Sequence, residues 1–176
     1  MKRSLYLVVP VFLLLLSCGD LKTTSYFSPT STKLSEFNAL EIHDFETKIE
    51  NVPAEALSKI PEKITEKMKT GSNSFSSVEH GTVSNISSDK TVVLLGEITD
   101  YTSAGDVDYE GGALKFGEVR VTLSLALVNK ATGDEIATGE VNSFSSLGFF
   151  EGNVFGNKLY DQIAEEVVNF VNKNRI

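Results

Sequence analysis

The sequence predicts an α+β domain of two layers, a mostly antiparallel sheet covered on one face by two helices. Three observations carry that expectation. Residues 118–129, EVRVTLSLALVN, put Val119, Val121, Leu123, Leu125 and Leu127 on one face and Glu118, Arg120, Thr122 and Ser124 on the other, the period of a strand with one wet face. Two other stretches repeat at helical spacing: Leu57, Ile60, Ile64 and Met68, then Phe155, Leu159, Ile163, Val167 and Val171. The order is strand, helix, several strands, helix, and one sheet face supplies the apolar surface that both helices need.

The chain has 176 residues, of which 41% are hydrophobic and 23% charged, a balance that supports one core. Its formal charge is −8, and removing residues 1–17, whose only charges are Lys2 and Arg3, takes it to −10. Nucleic acid is excluded as a partner, since phosphates require a basic surface, and so is a polybasic membrane patch. One cysteine makes no internal disulfide, and one cysteine with two distant histidines makes no conventional zinc site. No metal or other cofactor is expected.

Residues 1–17 read as an export signal: Met1-Lys2-Arg3, then an apolar run from Leu5 to Leu16 that includes Pro10. That run falls short of the roughly 20 apolar residues that span a bilayer. Leu15-Leu16-Ser17-Cys18 resembles the bacterial lipobox, in which the cysteine receives a diacylglyceryl group and becomes the first residue after cleavage. The resemblance implies lipidation at Cys18 and a place in the bacterial cell envelope, since two or three acyl chains anchor stably where one binds only marginally. Gly19 after the cysteine favours the outer membrane, with the domain facing the periplasm, and Asp20 one place later leaves the inner membrane open.

Residues 18–37 read as the acylated cysteine and a flexible tether, rich in Ser and Thr, with Pro29 and no apolar period. A coil of about 18 residues spans roughly 25 Å, which would float the domain off the bilayer. A second reading of the same stretch adds Ser25 to Phe27 to the sheet as an N-terminal strand. Residues 38–176 then make the periplasmic domain.

Within that domain a strand is expected over Ala39 to Phe45. A helix follows over Lys59 to Lys69, placed so that Pro61 falls in its first turn, where proline is tolerated. A looser turn from Pro53 precedes it, and Gly71 ends it. SFSSV, ending at Val78, is a short strand. TVVLLGEITDYTS is a longer one, with Val92 to Leu95 covered on both faces and Gly96 marking a bulge. The strand at 118–129 turns through NKATGDE, with Gly133 at positive φ, and pairs with EIATGEVNSF. The final helix carries Lys173 and Arg175 at its C-terminal end, where their charge suits the helix dipole.

Few side chains form a chemical constellation. His43 and His80 lie far apart in the chain, His43 reads as a surface or edge histidine, and no Gly-x-Ser-x-Gly elbow is present. Glu165 and Glu166 belong to the wet face of the last helix. Asp106, Asp108 and Glu110 ahead of Gly111 mimic the first half of an EF-hand loop, but Gly117 stands where the bidentate glutamate would be, so an acidic hairpin loop is expected. Phe149 and Phe150, between Gly148 and Gly152, are candidate partner contacts if exposed and close the core if buried. No residue is assigned a catalytic role, and the chain is not expected to be an enzyme.

IPEKITEKM before FSSV, then LLGEITDY, a Gly-rich gap, VTLSLALVNKATGDEIAT and a closing IAEEVVNFV together resemble Gram-negative envelope lipoproteins that share an uncharacterised periplasmic domain, of the type called domain of unknown function 4410. More distantly the layout is similar to lipoprotein activators of peptidoglycan synthases and to secretion-pore lipoproteins. The resemblance implies a non-enzymatic interaction or assembly-accessory module that binds an envelope protein or copies of itself. The alternative is a carrier of lipid or a small ligand, held in a pocket between sheet and helices.

Overall fold

The computed structural model describes residues 21–28, 34–71, 75–102, 108–110, 113–115, 118–146 and 152–174. Its strands are β1 (Leu21–Phe27), β2 (Ala39–Ile42), β3 (Glu46–Thr47), β4 (Ser77–His80), β5 (Thr91–Thr102), β6 (Asp108–Glu110), β7 (Ala113–Lys115), β8 (Glu118–Asn129) and β9 (Glu135–Ser146). Its helices are α1 (Ala54–Thr70) and α2 (Gly152–Lys173). Seven strands make one mixed sheet in the order β1-β9-β8-β5-β2-β4, with β3 also against β5. The successive pairs β1–β9, β9–β8 and β8–β5 are antiparallel, while β2 pairs in parallel with both β5 and β4. The fold is the expected α+β class. The parallel part arises because α1 carries the chain from β2 back to the start of β4, the crossover that parallel neighbours require. β6 and β7 form a separate two-stranded hairpin, Asp108 to Glu110 against Ala113 to Lys115.

Strand β8 has the bounds and the face that its alternation predicts: Val121, Leu123, Leu125 and Leu127 are buried, as are Leu159, Ile163, Val167 and Val171 on α2. Ile60, Ile64 and Met68 of α1 join them, so one core fills the space between the sheet and the helices. Gly133 takes φ +77° in the β8–β9 turn, where the Asn129 side-chain oxygen accepts hydrogen bonds from the Ala131 and Thr132 amides.

Four expectations need correction. The stretch 18–37 is not a free tether throughout, because residues 21–27 form β1 and pair along their whole length with β9, Leu21 opposite Ser145 and Phe27 opposite Gly139. The second reading of that stretch, an N-terminal strand, is the one the structure contains. Leu34 and Phe37 are buried as well. No apolar period marks β1 because its helix-facing side chains are mostly polar and reach polar partners. The Thr23 hydroxyl lies 3.0 Å from that of Ser143 and donates to Gln162 Oε1 at 3.1 Å, and the Ser25 hydroxyl donates to Glu166 Oε2 at 3.1 Å. At the end of the strand Phe27 stacks on Phe170 with ring centres 4.4 Å apart.

Helix α1 starts at Ala54, five residues before the expected start, and Pro61 sits inside it. Proline has no N–H for the Leu57 carbonyl, which would otherwise be left over. The Phe45 amide donates to that carbonyl at 2.9 Å, so the missing helical bond becomes a tie between α1 and the chain after β2. Pro61→Ala restores the competing donor. We expect exchange of the Phe45 amide to accelerate by about 3- to 10-fold, the value of one net hydrogen bond, with little change in melting temperature. Unchanged Phe45 exchange by NMR would refute this competition.

Gly96 is no bulge, since the register irregularity in β5 falls between Ile98 and Asp100. A Cβ on Gly96 would stand 2.5 Å from Cδ1 of Phe45, so the glycine admits a buried ring to the sheet surface. Gly139 gives the partly buried Phe27 ring the same access, at 2.6 Å. Lastly, the two-sided cover of β5 stops one residue early. Val92, Val93 and Leu94 are buried, Val93 on the face away from the helices, whereas Leu95 on that same face is 42% exposed.

Candidate partner-binding face

The face of the sheet away from the helices presents rows fixed by register. Leu95 lies beside Ala126 and Thr138, and Glu97 beside Ser124, Glu140 and Tyr26. Tyr26 is 72% exposed, so this face carries both large hydrophobic residues that stand out among the described side chains. A groove of about 430 Å³ runs over it, with Leu95 and Ala126 on its floor and Asp44, Glu46, Glu97, Glu135 and His43 along its sides. Lys48 Nζ, 2.9 Å from Glu97, neutralises one of these carboxylates, and His80 Nε2 lies within hydrogen-bond distance of Asp44 at 2.7 Å. Such a surface suits recognition of a polar or cationic group beside an apolar one.

One side of this face is tied down by a buried carboxylate. Glu41 sits on β2 between Leu40 and Ile42, opposite Val93 and Glu79, with only 1% of its surface exposed. Its Oε1 accepts a hydrogen bond from Lys130 Nζ at 2.5 Å and from the Val83 amide at 2.8 Å, while Oε2 lies 3.5 Å from His43 Nε2. Burial by itself would raise the Glu41 pKa. The Lys130 and Val83 hydrogen bonds, the Lys130 charge and His43 outweigh it and hold the carboxyl below its ordinary 4.5. One side chain therefore joins β2, the loop after β4 and the β8–β9 turn.

Sequence reasoning missed Glu41 and Lys130. The available signal was a carboxylate in the middle of Ala39-Leu40-Glu41-Ile42, a strand otherwise fit for burial on both faces. His43 is partly exposed just past the end of β2, an inner strand and not an edge of the sheet, and the structure brings it near Glu41 while His80 pairs with Asp44. Glu165 is exposed, while Glu166 turns towards β1 and accepts the Ser25 bond. Asp108 and Glu110 fall in the β6–β7 hairpin. Cys18, Asp106, Gly111, Gly117, Phe149 and Phe150 lie outside the described residues. Among the described residues no cluster of three or more His, Cys, Asp or Glu could hold a metal ion, and no helix is long and apolar enough to cross a membrane.

Among solved structures, a point variant of the PelC dodecamer from Paraburkholderia phytofirmans superposes with a TM-score of 0.57 at 13% identity, covering 88% of this chain and 100% of that one. The fold is similar to that of PelC. A second crystal form of the PelC dodecamer gives 0.55 at 12% identity, over 81% and 94% of the two chains. A minor lipoprotein from Acinetobacter baumannii superposes more loosely, at 0.46 and 13% identity over 79% and 95%. At these identities the likeness to PelC shows the fold alone. No family model matches the chain, and no curated protein matches its sequence.

Proposed function

We propose that this chain is an envelope lipoprotein, anchored through acyl chains on Cys18 and facing the periplasm from the outer membrane, that acts without enzymatic chemistry as an assembly module. The observation that carries this reading is the superposition with PelC, a protein crystallised as a dodecamer, over the whole of that chain. The lipobox-like Leu15-Leu16-Ser17-Cys18 supports the anchor. The two edges of the sheet, β1 and β4, differ in length and sequence, and contact between unlike edges of successive copies is head-to-tail, the kind that closes into rings. Native mass spectrometry of the detergent-extracted, lipidated chain tests it. We expect one closed oligomer. A monomer at all concentrations up to tens of micromolar, the range in which weak membrane-confined contacts still register, would defeat the assembly reading.

A carrier of lipid or a small ligand is a second reading, favoured by the exposed Leu95 on the floor of the groove. Its site differs from the expected one, because the space between sheet and helices is filled by Phe170, Ile163, Leu123 and their neighbours. A rise in melting temperature with a co-purified ligand, lost in Leu95→Glu, would support it.

A further inference from the structure

Only two residues, Gly19 and Asp20, lie between Cys18 and Leu21, the first residue of β1. Fully extended, the three Cα–Cα steps from Cys18 to Leu21 reach about 11 Å. The expected separation of roughly 25 Å for a free tether is therefore unavailable to a chain anchored at Cys18. Resting on the anchor proposed above, we infer that the end of the sheet where β1 starts sits against the lipid bilayer, and that the opposite end points into the aqueous space.

Register defines both ends. Leu21 lies opposite Ser145, Glu118 opposite Ser146, and Thr102 opposite Arg120, so the start of β1, the ends of β5 and β9 and the start of β8 share one end. Helix α2 runs alongside β1 in the same direction, Gln162 at Thr23 and Phe170 at Phe27, so it too begins at that end. The other end carries the β8–β9 turn with Lys130, Ala131 and Gly133. From Arg120 to Asn129 strand β8 advances about 30 Å, so the two ends lie at clearly different heights above a membrane plane.

The groove falls away from the anchored end. Its floor residue Leu95 lies in the row of Ala126 and Thr138, next to the row in which β1 finishes at Phe27 opposite Gly139. The partner that meets the anchored end is a phospholipid headgroup layer, because that is what lies within reach of a short acylated linker. Glu135, on the groove wall nearest the β8–β9 turn, is thereby held away from headgroup phosphates, which would repel it.

Once Cys18 is acylated the chain holds no other cysteine, so single labels can be introduced cleanly. Thr102→Cys and Ala131→Cys, both at exposed positions, place a fluorophore at the two ends. The lipidated proteins are reconstituted in phosphatidylethanolamine and phosphatidylglycerol vesicles containing a headgroup nitroxide quencher. The expected result is strong quenching at position 102 and none at position 131 beyond that of a soluble chain starting at residue 19. Quenching at neither position, at both, or at 131 alone, with acyl chains found on Cys18 by mass spectrometry, overturns the orientation and leaves the anchor standing. Absence of acyl chains on Cys18 overturns anchor and orientation together.

Discussion

Lys130→Met should destabilise the protein more than Glu41→Gln, although the two residues form one ion pair. Removing Lys130 leaves a carboxylate that is 1% exposed without its cation, and breaking a buried pair from that side costs about 3 kcal/mol at neutral pH. Glutamine at position 41 still offers an oxygen to the Val83 amide, and the Lys130 side chain is 29% exposed and can turn to water. A loss nearer 1 kcal/mol is expected there. The pH dependence separates the two further. In the natural chain the Glu41 pKa lies below 4.5, so its contribution is present above that value and disappears as pH falls through the lower, folded value. In Lys130→Met burial, the largest influence, is opposed only by the Val83 amide and His43, and the folded pKa is expected to rise above the unfolded one. That variant should then be weakest at neutral pH and regain stability as the carboxyl protonates. Denaturant melts at pH 4, 5.5 and 7, a series chosen to bracket an ordinary carboxylate, read both effects. Equal losses with parallel pH profiles would show that Lys130 does not compensate Glu41.

Gly96→Val should lower stability by about 2 to 3 kcal/mol, the upper part of the range for overpacking a filled core. Valine suits strands better than glycine, so propensity alone predicts a gain. The Phe45 ring decides the sign, because it occupies the space in which the new side chain would stand and is itself buried. Phe45→Leu makes room. The double variant should therefore lose less than the two single losses added together, and a strictly additive result would show that the ring and the glycine do not meet.

The elements that could be read from the sequence are those whose burial is one-sided and apolar. β8 and the stripe of α2 were legible for that reason, and Gly133 because a tight turn at positive φ leaves few other choices. β1 hid itself, since Thr23 and Ser25 meet α2 through hydroxyls and a polar layer has no hydrophobic period. Helix α1 was cut short at Pro61 because local rules cannot know that a distant amide, that of Phe45, takes the released carbonyl. Gly96 suggested a bulge, but glycine in a strand also marks a close approach from elsewhere in the chain, and only the position of Phe45 distinguishes them. The Glu41 cluster was illegible for a related reason. Its partners stand 42 and 89 residues away, and nothing local announces them.

The β1–β9 ladder has a mechanical side. Its seven registered pairs are antiparallel, and the chain enters β1 at the end where β9 finishes, Leu21 opposite Ser145. A tug on the segment ahead of Leu21, directed along the strand, would slide β1 past β9 and load every bond of the ladder at once. Peeling from the Phe27 end would take them in turn, beginning with the Ser28 amide on the Thr138 carbonyl. The domain is therefore built to withstand traction from its N-terminal side better than traction of the same size applied across its outer edge.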